Sequence, residues 1–287
     1  MNNTPSQAAR RAGATGPEPV QSQISSAHSI SAPPSPLADF NPDFTDKILL
    51  AALRPIAEKW FRLEVRGSEH IPDSGPGLVT ANHSGAIALD ALMTQLAVFD
   101  NHPRQRHVHM LAADLVFELP VVADIARAAG HAVANPNAAH RLLTSGHLVG
   151  VWPEGFAGVG KTWAKRYQLQ QFAKGGFVVT AKLANSPIIP TAIVGAEEAY
   201  PMIADFTPLA KALKLPYFPI TPTFPALGPL GLVPLPSKWI IQFGAPISPE
   251  ELPDPYDEKA VLQKSQEIRL LIQDMVDALV ADRGSAF

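Results

Sequence analysis

Short apolar runs alternate with amphipathic helical runs along most of this chain, and that alternation restricts the folds it can adopt. Five of the runs are brief and rich in β-branched residues, which is typical of buried strands. The segments between them carry apolar residues at helical spacing. Strands that alternate with helices predict an α/β fold with a largely parallel central sheet flanked by helices. The predicted strands are residues 77–81, 106–112, 147–152, 187–195 and 238–244, and the predicted helices between them are residues 88–99, 119–130, 137–146 and 175–185.

Helices are also predicted at both ends of this alternating region. Asn41 followed by a proline is typical of a helix start, and the amphipathic run after it is expected to bend at Pro55. The basic residues and the terminal Trp60 of this helix would suit a bilayer surface, although most amphipathic helices face a protein core. Residues 256–284 predict a long terminal helix whose apolar side carries Val261, Ile268, Leu271, Ile272, Met275 and Leu279. Residues 197–236 are rich in proline and glycine and predict an irregular insertion.

Composition divides the chain into two parts. The first forty residues contain six prolines and seven serines, and their first aromatic residue is Phe40. A segment with so little apolar surface cannot offset the entropy cost of ordering, so residues 1–40 are predicted to be disordered. Residues 41–285 are long and apolar enough for one domain with a substantial core, because 46% of the chain is hydrophobic.

The residues present exclude several classes of protein and site. A net charge of −3 gives no global basic surface that would argue for nucleic acid, so any anion binding must be local. The absence of cysteine excludes disulfides, thiolate metal sites and a cysteine nucleophile. No run of about 18 uncharged apolar residues is present, so no transmembrane helix is predicted. Arg10 and Arg11 are not followed by an apolar run, which argues against a secretory signal. We therefore expect a cytoplasmic protein that is soluble or peripheral on the inner face of the membrane.

The stretch TANHSGAIALD, residues 80–90, places polar residues directly after a predicted buried strand. His83 lies at the carboxyl end of that strand, the edge of an α/β sheet at which ligand clefts form. Asp90 follows in the first turn of the next predicted helix, where its carboxylate could orient the imidazole and make it more basic for proton abstraction. The alternative is a loop histidine beside an aspartate that favours the helix dipole.

A second polar stretch, VWPEGFAGVGKTWAKRYQLQQFAKGG, also follows a predicted strand. It combines one acid, Glu154, with the bases Lys161, Lys165, Arg166 and Lys174 and with several glycines. Positive charge on a glycine-rich backbone suits a phosphate or carboxylate ligand. The glycine spacing is not that of a phosphate-binding P-loop, and a solvated basic loop is the alternative.

Two further candidate sites have less support. His107 and His109 lie two residues apart on a predicted strand and hence on one face, but no third ligand accompanies them, so no metal site is predicted. Ser84 could be the nucleophile of an esterase, although no G-x-S-x-G sequence surrounds it.

Three blocks taken together and in order are more specific than either polar stretch alone. The blocks NHSGAIALD, WPEG and SPIIPTAIVGAEE resemble those of the glycerolipid acyltransferase family, which includes lysophosphatidate and glycerol-phosphate acyltransferases. The family patterns are N-H-x-x-x-x-D, F-P-E-G and an apolar strand containing V-P, and the resemblance extends over residues 65–247. The run that begins at PEG and the run PYFPITPTFPALGPLGLVPLPSKWIIQFG are similar to a divergent, soluble-looking bacterial branch of that family.

The resemblance implies transfer of a fatty acyl group from a thioester, either acyl-CoA or an acyl carrier protein, to the hydroxyl of a glycerolipid or related lipid alcohol, as in phospholipid biosynthesis. It implies that His83 is the general base and that Asp90 orients it. The thioester is a co-substrate, so no cofactor and no metal are implied, and no covalent acyl-enzyme is needed.

The substrate-binding residues that we expect fall into three groups. Backbone N–H groups near Ser84 and Gly85 would stabilise the thioester oxyanion, while the PEG block would hold the acceptor and the last block would line the thioester or acyl side. The residues expected to contact substrates are Asn82, Ser84, Gly85, Glu154, Gly155, Lys161, Lys165, Arg166 and Pro190.

The sequence departs from the family pattern in its spacing and in its arginines. Six residues separate His83 from Asp90 where the family has four, so the loop must be longer or the helix must begin earlier for the side chains to meet. The places of the family arginines that bind an acceptor phosphate are taken here by VANPN, residues 133–137, and by Ala157. Lys161, Lys165 or Arg166 could replace them, and an unphosphorylated alcohol or glycolipid acceptor is equally compatible.

Two other functions stay open at this level. One is a non-catalytic lipid- or acyl-carrier-binding protein on the same scaffold, which would be favoured if the long spacing kept His83 and Asp90 apart. The other is a serine esterase that uses Ser84.

Overall fold

The computed structural model describes residues 35–172 and 175–287, and residues 36–287 pack as one unit around a mixed sheet. Residues 1–34, most of the segment predicted to be disordered, lie outside the described residues. The strands within the described ranges are β1 (Glu64–Arg66), β2 (Gly77–Ala81), β3 (Val108–Ala112), β4 (Ala132–Val133), β5 (Leu148–Val151), β6 (Ile188–Val194), β7 (Ala204–Asp205), β8 (Pro219–Ile220) and β9 (Ile240–Phe243).

The central sheet has seven strands in the order β1-β9-β6-β2-β5-β3-β4. Strands β6, β2, β5, β3 and β4 run parallel, and β9 joins them antiparallel to β6. The predicted α/β class with a largely parallel sheet is therefore confirmed. In such a sheet the carboxyl ends of β2, β5 and β6 meet at one edge, and the residues that follow these strands are brought together there.

Helices cover the sheet and connect its parallel strands. The helices in the described ranges are α1 (residues 42–60), α2 (Leu89–Asn101), α3 (Asp114–Glu118), α4 (Val122–Ala128), α5 (Pro136–Thr144), α6 (Phe156–Val159), α7 (Gly176–Leu183), α8 (Ala196–Ala199), α9 (Thr207–Ala212) and α10 (Glu258–Arg283). Short 3-10 helices occupy Ser68–His70, Trp163–Lys165, Gly228–Leu232 and Pro249–Glu251.

The first helix begins where the sequence predicts and contains two wide turns. The Asn41 side chain accepts a hydrogen bond from the Phe44 N–H at 3.0 Å, as expected of an N-cap. Pro55 has no N–H to donate, yet α1 continues through it, and the π-helical turn Ile56–Trp60 follows directly. The helix therefore runs from residue 42 to residue 60, with π-helical turns at Thr45–Leu49 and Ile56–Trp60.

Alternate residues of the central strands enter two separate hydrophobic clusters. Val79, Ile189 and Ile241 pack with α1 and α2 on one face, whereas their neighbours Leu78 and Ile188 pack on the other face with α5, α7 and α10. Successive side chains of a strand point to opposite faces, so a strand buried on both sides must be apolar throughout. This explains why the predicted strands are continuous apolar runs.

Three parts of the fold differ from the sequence predictions. Strands β1 and β4 were not predicted, because two or three residues give no detectable periodicity. The insertion at residues 197–236 is not wholly irregular, since β7 and β8 pair as a small antiparallel sheet around α9. Leu37 and Phe40 pack against the core, so the packed unit begins ahead of residue 41. No helix in the described ranges is long and apolar enough to cross a bilayer.

Candidate active site

Asn82 fixes the point at which the chain leaves the sheet after β2. Its side-chain amide donates to the Ile193 carbonyl at 2.9 Å, and its side-chain oxygen accepts from the Ile193 N–H at 2.8 Å. These two bonds satisfy the buried amide and join the end of β2 to β6. The next residue, His83, is therefore held at the carboxyl edge of the sheet.

His83 and Asp90 form a hydrogen-bonded pair at this edge. The distance from His83 Nδ1 to Asp90 Oδ2 is 2.7 Å, and the Asp90 side chain is fully buried while 16% of the His83 side chain is exposed. A carboxylate can only accept, so Nδ1 carries the hydrogen, and in the neutral imidazole Nε2 then keeps a free lone pair. Six intervening residues do not prevent the pairing, because α2 begins at Leu89 and its first turn returns Asp90 to the loop.

The insertion at residues 197–236 helps to hold the longer loop between His83 and Asp90. Gly85 adopts a φ of +84°, and a side chain there would meet the Ala196 carbonyl oxygen 3.0 Å away. The Tyr217 hydroxyl donates to the Ala86 carbonyl at 2.8 Å. Burial raises the pKa of Tyr217 to about 12, so this hydroxyl stays protonated and remains a donor at neutral pH. The predicted irregular insertion thus supplies a contact that shapes the candidate site.

The Asp90 carboxylate accepts hydrogen bonds from three N–H groups besides the His83 imidazole. Its Oδ2 also accepts from the Ser84 N–H at 3.0 Å and from the Trp152 indole N–H at 2.9 Å, and its Oδ1 accepts from the Ala91 N–H at 2.9 Å. The Ser84 N–H is therefore already bonded to Asp90. Of the two residues predicted to supply an oxyanion donor, Gly85 is the one that remains a candidate. The Ser84 hydroxyl is buried and has no hydrogen-bond partner in the described part of the chain, so no base activates it there.

Glu154 holds the backbone of His83. Its Oε1 accepts from the His83 N–H at 2.7 Å, its Oε2 accepts from the Gln170 N–H at 2.5 Å, and its side chain is fully buried. Gly158 packs so closely that a Cβ atom there would lie 2.8 Å from the Cβ of His83. Both carboxylate oxygens are thus occupied by donors of the chain itself. The geometry gives Glu154 a positioning role, and its predicted contact with the acceptor stays a prediction.

Lys161, Lys165 and Arg166 occupy different environments, and Lys174, the fourth base of the stretch, lies outside the described residues. Lys161 is buried between two carboxylates, with its ammonium 3.0 Å from Glu197 Oε1 and 3.7 Å from Glu154 Oε2. Burial raises the pKa of Glu197 despite this lysine. Lys165 and Arg166 are exposed, and the Arg166 guanidinium lies 4.3 Å from the centre of the Trp163 ring. Only Lys161 is therefore brought against the PEG block.

The remaining predicted contacts lie beside the pair. Gly155, in the PEG block, adopts a φ of +54° and is the N-cap of the short helix α6. Pro190 is buried in β6 beside Thr80 of β2, and its carbonyl accepts from the Gly244 N–H at 2.7 Å. The position of Pro190 is thus inside the sheet, before the edge that carries His83.

Several residues of the site were not among the predicted ones. Trp152 is signalled only by its place before PEG, and Tyr217 and Gln170 have no local sequence signal at all. Glu197, which follows β6, also takes part through its pair with Lys161, whereas its neighbour Glu198 pairs with Arg283 of α10 at 2.7 Å. These contacts join segments far apart in sequence.

No group of three or more metal-ligating side chains occurs within residues 35–172 and 175–287. His109 is buried beside His147, and burial together with that neighbour lowers the pKa of His109 to about 3. Its Nδ1 lies 3.0 Å from the Gly130 carbonyl oxygen, and the ring contacts Phe40. The two histidines of β3 and the loop before it are therefore packed side chains of the core region.

Comparison with known proteins supports the class that the fold and the histidine–aspartate pair suggest. The acyltransferase family pattern matches residues 62–194. An uncharacterized protein of Mycobacterium tuberculosis is 48% identical over 250 residues, which are 86% of this chain and 70% of that protein. A protein of Bos taurus named "DGAT1/2-independent enzyme synthesizing storage lipids" is 26% identical over 231 residues, 78% of this chain and 60% of that protein.

A solved structure shares the fold. The crystal structure of the 1-acyl-sn-glycerophosphate (LPA) acyltransferase PlsC from Thermotoga maritima superimposes with a TM-score of 0.53 and 19% identity, covering 82% of this chain and 81% of that one. The chain belongs to the acyltransferase family, as the ordered sequence blocks predicted. An uncharacterized protein of Mycobacterium leprae is 47% identical over 250 residues, 86% of this chain and 68% of that protein.

Proposed function

We propose that this protein transfers a fatty acyl group from an acyl thioester, acyl-CoA or acyl carrier protein, to the hydroxyl of a lipid alcohol. The observation that carries the proposal is the His83–Asp90 pair at the carboxyl edge of the sheet, in which 2.7 Å separates His83 Nδ1 from Asp90 Oδ2 and Nε2 lies outside that bond. A base with a free lone pair and an orienting carboxylate can deprotonate an alcohol.

In the proposed reaction His83 Nε2 takes the proton from the acceptor hydroxyl as its oxygen attacks the thioester carbonyl. A C–O bond forms, and the carbonyl electrons move onto the oxygen, where the Gly85 N–H is the candidate donor. The tetrahedral intermediate then collapses, the C–S bond breaks, and the imidazolium returns the proton to the thiolate. Asp90 stabilises the positive charge on the imidazole between these two steps.

The charges around the site favour an acceptor without a phosphate next to the reacting hydroxyl. Lys161 is neutralised by Glu154 and Glu197, so the buried cluster carries a net negative formal charge and would repel a phosphate. Lys165 and Arg166 are exposed cations outside that cluster. The storage-lipid enzyme of Bos taurus is a relative whose name fits a neutral lipid product. We therefore propose that the acceptor is a glycerolipid or other lipid alcohol without a phosphate, rather than lysophosphatidate or glycerol 3-phosphate.

A membrane surface is the proposed source of the acceptor, which would make the protein peripheral on the inner face of the membrane. Ile48, Ile56 and Trp60 of α1 are exposed at 60%, 38% and 42%. The Trp60 indole donates to the Pro234 carbonyl at 2.9 Å, which joins α1 to a loop where Val233 is also exposed. An amphipathic helix next to an apolar loop suits the lipid interface. Flotation with phosphatidylglycerol vesicles should recover the protein in the vesicle fraction. Recovery equal to that of a vesicle-free control would contradict the proposed membrane association.

The purified protein should release free thiol from a long-chain acyl-CoA or an acyl carrier protein only when a lipid alcohol is supplied. The acceptors to compare are monoacylglycerol, diacylglycerol, a long-chain alcohol, lysophosphatidate and glycerol 3-phosphate, with the acylated product identified by mass spectrometry. Retention of ligand without turnover would indicate a binding protein instead. Covalent labelling of Ser84 by a fluorophosphonate would indicate an esterase. Preference for lysophosphatidate or glycerol 3-phosphate would contradict the acceptor class.

A further inference from the structure

Trp152 connects the candidate base pair to a second strand. It follows β5 directly, and its indole N–H donates to Asp90 Oδ2 at 2.9 Å. The ring is 9% exposed and stands nearly perpendicular to the His83 imidazole, with 6.3 Å between ring centres. The same side chain therefore contacts both members of the pair, and through them the loop after β2.

The indole of Trp152 differs from the other donors to Asp90 in the segment of the chain from which it comes. The other donors to the carboxylate, the N–H groups of Ser84 and Ala91 and the ring of His83, all belong to the loop and helix that carry Asp90 itself. Trp152 is the donor that comes from a different strand. A hydrogen bond from a rigid, buried ring fixes the carboxylate against the sheet and draws electron density from the oxygen that faces the imidazole.

We propose that Trp152 is a positioning residue that holds Asp90 through its indole N–H and moderates the basicity of His83. The inference rests on the proposed function, because it assigns Trp152 a part in the same proton transfer. With the indole N–H present, Asp90 Oδ2 shares its charge between three donors. Without it, more of that charge stabilises the imidazolium, and the carboxylate is less firmly oriented.

Trp152→Phe is the variant that tests this, because phenylalanine keeps an aromatic ring and cannot donate. Its kcat should fall about tenfold with KM nearly unchanged, since the lost bond acts on the base and not on substrate binding. The acidic limb of the pH profile of kcat should move to higher pH, because the imidazolium is more stable. Other ionisable groups beside the pair are Glu154, Lys161 and Tyr217, and the substitution alters none of their charges.

Trp239→Phe is the matched control. Trp239 is a buried tryptophan whose indole N–H donates to the Ser237 hydroxyl at 3.1 Å, away from Asp90. Trp239→Phe loses the same ring volume as Trp152→Phe and also one N–H. It should therefore lower thermal stability and leave the pH profile of kcat unchanged. A second test uses a benzothiophene analogue of tryptophan at position 152, which keeps the bicyclic ring and replaces the N–H by sulfur. The analogue should reproduce the kcat and pH effects of Trp152→Phe.

Histidine NMR gives a readout that needs no substrate. The His83 imidazole resonance, assigned by its loss in His83→Gln, should titrate at higher pH in Trp152→Phe and in the analogue than in the wild-type protein. An unchanged His83 titration in both would overturn the role of Trp152, as would full activity of the analogue. Failure of the wild-type protein to transfer any acyl group would instead overturn the proposed function, and the titration would still decide whether the indole acts on the pair.

Discussion

His83→Gln is expected to reduce acyl transfer about a thousandfold while leaving the fold intact. Glutamine can still hydrogen-bond, but it has no lone pair of useful basicity, so the acceptor hydroxyl must attack without losing its proton to the protein. The side chain is partly exposed and its backbone N–H stays bonded to Glu154, so the loop has little reason to move. The measurement is thiol release under saturating thioester and acceptor, with KM determined separately for both.

His140→Gln is the matched control, because His140 lies on α5 and takes no part in the candidate site. It should retain wild-type turnover. Circular dichroism and thermal unfolding of His83→Gln should match the wild-type protein. If the folded His83→Gln protein kept more than about a tenth of the activity, general-base catalysis by His83 would be wrong.

The parts of the fold that could be predicted are those with a local pattern. The five predicted strands correspond to β2, β3, β5, β6 and β9, since strands buried on both faces are continuous apolar runs. In α10 the predicted apolar face was partly wrong. Leu271 is 41% exposed, whereas Val276, not predicted, is fully buried. Over a helix of 26 residues the choice between neighbouring faces depends on where the sheet lies, which periodicity alone does not give.

The candidate site was predictable to the extent that it follows strand ends. His83 and Glu154 could be located because each comes within three residues of the end of an apolar run, and the carboxyl ends of parallel strands share an edge. The pairing of Asp90 depended on the start of α2, which the sequence leaves uncertain by a turn. The partners of Lys161 could not be predicted, because Glu197 lies after a different strand. The role of Tyr217 depends on how an insertion folds back on the loop.

Lys161→Met is expected to lower the free energy of unfolding by about 3–5 kcal/mol, because it removes the cation from between two buried carboxylates. Glu154 and Glu197 would then face each other without a counter-charge, and burial already raises the pKa of Glu197. A carboxyl group whose pKa is raised on folding destabilises the protein as pH rises above its unfolded pKa. The deficit should therefore be large at neutral pH and shrink in mildly acidic solution, where Glu197 takes up a proton.

Two further variants separate this structural role from the contact with an acceptor phosphate that the sequence suggested. Lys161→Met combined with Glu197→Gln removes one of the opposed charges and should recover part of the lost stability. Lys165→Met removes an exposed cation and should change the free energy of unfolding by no more than about 0.5 kcal/mol. Urea denaturation at several pH values measures all three. Wild-type stability of Lys161→Met, together with a raised KM for lysophosphatidate alone, would assign Lys161 to phosphate binding instead. That result would also contradict the proposed acceptor without a phosphate. The structural role of Lys161 and that choice of acceptor both assume that Glu154 and Glu197 already neutralise this lysine.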